Sequence, residues 1–135
     1  MEKKYLAKII ATENEGLQMI SACCAGAKVK ISDIKFLKSN KIFLLSVERK
    51  KIETNQKDKK INSICKFEFV DQVKSKNIDQ NSQNILMELL AIDVFKKDHN
   101  FEITLLFSKN RFITLSTEVI EVTLEDQKFK DDKNN

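Results

Sequence analysis

In the last third of the chain, apolar and polar side chains alternate with a period of two, a pattern that fits a β-sheet. Phe101, Ile103, Leu105 and Phe107 alternate with Glu102 and Thr104. The turn Ser108-Lys109-Asn110-Arg111 then leads into 112–116, and Ile120, Val122 and Leu124 alternate with Glu121, Thr123 and Glu125. Successive strand side chains point to opposite faces, so each segment offers one apolar row to a core. Their β-branched content favours strand over helix. The same period returns earlier. Val29, Ile31, Ile34 and Phe36 stand among Lys28, Lys30, Asp33 and Lys35, with a break in phase near Ser32. Further strands are expected over 5–10, over 42–48, and where Cys65, Phe67 and Phe69 flank Lys66 and Glu68. Residues 85–95 are apolar on both faces and read as a central strand, with a helix as the alternative. In the turn 38–41, Asn40 suits a positive backbone φ.

One segment has helical spacing instead. Thr12 and Glu15 match the capping box that satisfies the unpaired N–H groups of a helix start. Leu17, Ile20, Cys24 and Ala27 follow on one face, and Gly26 suits a left-handed helix end. The expected fold is α+β: one N-terminal helix packed on a curved, mainly antiparallel sheet or half-barrel of about seven strands. A small barrel like that of pleckstrin-homology domains is the alternative. Residues 1–126 read as a single domain and 127–135 as a disordered polar tail. Two polar stretches, 53–60 and 74–84, read as loops, the second broken only by Ile78. The likeness of 38–46 to 108–116 reads as two hairpins sharing one turn recipe.

Several chemistries are disfavoured. No apolar run approaches the roughly 20 residues a bilayer-spanning helix needs, and the first residues do not form a signal peptide. An odd count of three cysteines, without an export signal, points to reduced thiols and a cytoplasmic setting. Cys23 and Cys24 diverge by about 100° on a helix, so they read as small packing residues and not as metal ligands. His99 lies in a polar turn with no nucleophile motif nearby. With Gly16 and Gly26 the only glycines, a phosphate-cradling loop is excluded. Glu88 and Asp93, five apart in a strand, should lie on opposite faces and so could not act as a carboxylate pair. No metal and no cofactor is expected.

Charge is the most informative functional signal. Residues 1–76 carry 17 Lys+Arg against 9 Asp+Glu, whereas 77–135 carry 7 against 11. Lys28, Lys30, Arg49, Lys50 and Lys51 would form a positive rim if their strands pair. Such a rim could meet an acidic protein partner or nucleic-acid phosphates. Lysine outnumbers arginine 22 to 2, a bias expected of an AT-rich genome, and it inflates any basic patch.

The runs Leu17-Gln18-Met19-Ile20-Ser21-Ala22, Val29-Lys30-Ile31-Ser32-Asp33-Ile34 and Asn84-Ile85-Leu86-Met87-Glu88-Leu89-Leu90-Ala91-Ile92, with residues 103–126, resemble the alphaproteobacterial family called domain of unknown function 2948. The likeness spans about residues 6 to 126 and consists of core and turn residues, so it implies no catalytic or ligand-binding position. The sequence therefore points to a non-enzymatic binding or interaction module, monomeric or homodimeric and not membrane-bound. The alternatives are an enzyme or small-ligand protein with an unfamiliar pocket, or a weak nucleic-acid binder.

Overall fold

A computed structural model describes residues 6–52 and 59–129, with the backbone alone for Lys128 and Phe129. Ten strands and one helix follow in the order β1 (Lys8–Ala11), α1 (Asn14–Cys24), β2 (Ala27–Lys30), β3 (Ile34–Leu37), β4 (Ile42–Lys50), β5 (Lys60–Phe67), β6 (Val70–Lys76), β7 (Leu86–Lys97), β8 (Asn100–Phe107), β9 (Arg111–Thr117) and β10 (Val122–Phe129). All pairings among the described residues are antiparallel. They run β1-β10-β5-β4-β2-β7-β8-β9-β6, with β3 laid beside β4. The sheet is open, with β1 and β6 at the two ends of that order, so the alternative of a small closed barrel is not formed.

The fold class is the expected α+β one, a single helix on an antiparallel sheet, but the described strands number ten and not seven. Part of the excess comes from the break near Ser32. A single 3-10 turn, Ile31–Asp33, separates β2 from β3, and the two strands take different partners. Another added strand is β6, hidden in a stretch whose only apolar residues are Val70 and Val73. As the last strand in the order it buries little, so its sequence need not alternate.

Helix α1 packs against β7, β1 and β4, placing Leu17 and Ile20 at 0% exposure. Burial of each contributes roughly 1.5–3 kcal/mol. The expected capping box is not formed: Glu13 is the N-cap, without a side-chain cap bond, and the helix starts at Asn14. Gly26 does follow the helix end at φ +84. In the turn before β4 the left-handed residue is Lys41 (φ 57) and not Asn40. Its N–H closes the turn on the carbonyl of Lys38, while its own carbonyl accepts from Val70 N–H.

The central strand β7 carries a bulge. Leu89 pairs with Phe107 and Ala91 with Leu106, so Leu90 is the extra residue. Met87 and Leu89 face inward before it, and Ile92 after it. The bulge overturns the expected opposition of Glu88 and Asp93, because it shifts the phase by one and turns both outward. It also frees a backbone donor, and Ser21 Oγ of the helix accepts from Ile92 N–H at 2.9 Å. That bond locks the helix to the bulge. Ser21→Ala should therefore cost about 1–3 kcal/mol, the penalty for stranding a buried N–H, as measured by urea unfolding.

Candidate functional site

Four polar side chains occupy core-facing positions at one end of the sheet. Along β4 the inward row reads Phe43, Leu45, Val47 and then Arg49, with Lys51 next in the same phase. Along β5 it reads Ile61, Ser63, Cys65 and Phe67, and along β10 Val122, Leu124 and Asp126. Register places Ser63 opposite Val47 on one side and Asp126 on the other. The side chains of Arg49, Lys51 and Asp126 are at most 1% exposed.

Asp126 is the hub. Its Oδ1 accepts from Arg49 Nη2 at 2.9 Å and from Ser63 Oγ at 2.6 Å. Its Oδ2 accepts from Lys51 Nζ at 2.6 Å and from the backbone N–H of Ala7 at 2.7 Å. Asp126 N–H in turn donates to the Ala7 carbonyl. A carboxylate offers about four lone-pair positions, and four donors occupy them. Ser63 relays between the charges, accepting from Arg49 Nε at 3.1 Å while donating to Asp126. Burial pushes the Asp126 carboxyl up. The bonds from Lys51, Ser63 and Ala7, with the Arg49 charge, outweigh it and hold the group below its ordinary 3.8. With its acceptor positions filled, Asp126 is fitted to hold the sheet end together and not to take a proton from a substrate.

The five residues of the sequence-derived basic rim separate into two groups. Arg49 and Lys51 turn inward to Asp126, whereas Lys28, Lys30 and Lys50 are exposed. Lys28 and Lys30 line an open groove of about 460 Å³, together with Asp33, Ser46, Glu48, Asn62 and Gln127. The groove lies where β2, paired with β7 from Ala27 to Lys30 on one edge, shares only the pair Lys28↔Glu48 with β4 on the other. Lys28 lies 3.7 Å from Glu88, and Lys60 lies 3.8 Å from Glu48. Ion pairs this exposed hold little energy and exchange readily with an incoming charge.

The other candidates find plain roles. Cys23, Cys24 and Cys65 are buried and in no disulfide. Burial, with Cys24 nearby, pushes the Cys65 thiol well above 9.0, so it stays protonated and unreactive. His99 is exposed at the tip of the β7–β8 hairpin. The carboxylates that meet are Glu68 and Glu121, not Glu88 and Asp93, and the hydrogen bond with Glu68 raises Glu121. Among the described residues no group of three or more His, Cys, Asp or Glu could hold a metal. No helix among them is long and apolar enough to cross a membrane.

These features define a one-helix α+β domain on an open antiparallel sheet, pinned at one end by a buried carboxylate. The chain belongs to the family described as Protein of unknown function (DUF2948), whose profile matches residues 7–134. No curated protein and no solved structure matches it.

Replacing Asp126 by Asn should destabilise the fold by about 3–5 kcal/mol, because it removes the buried charge that Arg49 and Lys51 both meet. Ser63→Ala should cost less, about 1–3 kcal/mol. Because the folded Asp126 has the depressed pKa, its contribution is complete above the ordinary value. It is lost as pH falls through 3.8 toward the lower folded value. Chemical denaturation between pH 7 and pH 3 should show this acid loss in the wild type and a flatter profile in Asp126→Asn.

Proposed function

We propose that this protein is a non-enzymatic binding module that takes a protein partner across the groove between β2 and β4. The observation that carries the reading is the parting of β2 from β4. It leaves an open trough with Lys28 and Lys30 on one side and residues of β4 and β5 on the other. Val47, Ile64 and Leu86 line it beside hydrogen-bonding side chains, without a poised nucleophile. Its one buried hydroxyl, Ser63, donates to Asp126, whose acceptor positions are full. A trough of this kind suits an extended polar segment bearing carboxylates, which Lys28 and Lys30 would meet in exchange for Glu88 and solvent. Lys50 stands beyond the lining residues, where it can add long-range attraction.

The test compares the wild type with Lys28→Glu/Lys30→Glu in affinity capture from cell extract, at low and at physiological salt. A specific protein partner retained by the wild type should be lost, or bound at least about tenfold more weakly, by the double variant. Two outcomes would reject the reading. One is that the wild type retains no protein at either salt. The other is that it retains nucleic acid, with an affinity falling steeply as salt rises.

A further inference from the structure

A second opening in the sheet lies apart from the charged groove and, unlike it, is lined by no charged residue. Among the described residues β3 pairs only with β4, and β6 only with β9, so each keeps a free edge. The two edges face a common cleft. At one end it is closed by the bond from Val70 N–H to the Lys41 carbonyl. At the other, the segment 77–85 closes it through Ser32 N–H to Gln83 and Ile31 N–H to Ile85. Between these closures the sheet has a gap of about 210 Å³ with Phe43, Ile113 and Ile31 at its floor. Ile34 and Phe36 form one wall, and Val73 and Ile78 the other. Ser75, Gln80 and Gln83 stand at its exposed mouth, and no lysine, arginine, aspartate or glutamate lines it.

We infer that this cleft binds a small neutral molecule with an apolar body about one ring in size and a single hydrogen-bonding head. Three observations set that class. A gap closed at both ends takes a compact ligand and not a running peptide. An apolar cavity of about 150 Å³ accepts benzene, so about 210 Å³ admits one ring with a short substituent. An uncharged mouth of one hydroxyl and two amides in a chain that is one-third charged would leave a ligand's charge without a partner. The site goes beyond the partner groove, shares none of its lining residues, and stands or falls separately from it.

The experiment is a titration of the full, isotope-labelled chain with benzyl alcohol, followed by amide chemical shifts, with benzoate as the charged counterpart. Benzyl alcohol should produce saturable shifts at Ile34, Phe36, Val73, Ser75, Ile78 and Gln83. For about eight non-hydrogen atoms the expected Kd is on the order of 1 mM. Benzoate should bind at least about tenfold more weakly. Val73→Phe fills the cleft and should abolish the shifts. Ser75→Phe changes only an exposed position at the mouth, so it tests the same point should the first variant misfold, and it should weaken binding at least about fivefold. The inference is overturned by unsaturated shifts up to the solubility limit, by shifts centred on other exposed apolar residues such as Leu86 or Phe95, by equal binding of benzoate, or by Ser75→Phe binding as the wild type does.

Discussion

One carboxylate holds together segments that no turn joins. Asp126 ties the approach to β1, the end of β4, Lys51 beyond it, the middle of β5 and its own strand β10. Placing an arginine, a lysine and an aspartate where water is absent costs several kcal/mol per ion, and only dense mutual bonding offsets it. Apolar residues in these positions could hold the sheet end at least as tightly. The polar set does something they cannot: its hydrogen bonds are directional, so β4, β5 and β10 meet in one register. A slip of one residue would turn Asp126 outward and leave two cations buried. The groove beside this end of the sheet depends on that fixed register, because Ser63 both lines it and donates to Asp126.

Most of the architecture could be read from residue spacing. The alternation of 101–107 and 120–125, the single helix carrying Leu17 and Ile20, and the phase break at Ser32 all correspond to elements of the structure. The parts that escaped did so for identifiable physical reasons. β6 buries only Val70 fully, so no apolar row announced it. The bulge at Leu90 rests on a backbone donor reaching Ser21 across 71 residues, which local pattern does not encode. The capping box was read one position too early, with Glu13 and not Thr12 taking the N-cap.

The buried cluster was legible in principle, and its signal was misread. Counting in twos from Phe43 leads through Leu45 and Val47 to Arg49 and Lys51; counting from Val122 leads through Leu124 to Asp126. Charged residues in the inward phase of three strands are expensive unless they meet one another. Taken as surface charge, Arg49 and Lys51 joined a rim with Lys28, Lys30 and Lys50. Taken by phase, they separate from it and point to a carboxylate of the same phase elsewhere in the chain. The apolar cleft, by contrast, draws Ile31, Phe43, Val73 and Ile113 from distant segments. No spacing in the sequence joins them.

The span of the Asp126 contacts bears on how the chain matures. Ala7 and Asp126 lie 119 residues apart, and Arg49 and Asp126 lie 77 apart. On the ribosome, which adds roughly 5–20 residues each second, Arg49 and Lys51 therefore emerge several seconds before the carboxylate they are built to meet. Until then both cations are better left in water than buried, so the β4–β5 end has reason to stay open while the nascent chain grows. Strand β10, made after the other described strands, thus serves as the latch, and its arrival becomes the signal for the sheet end to close.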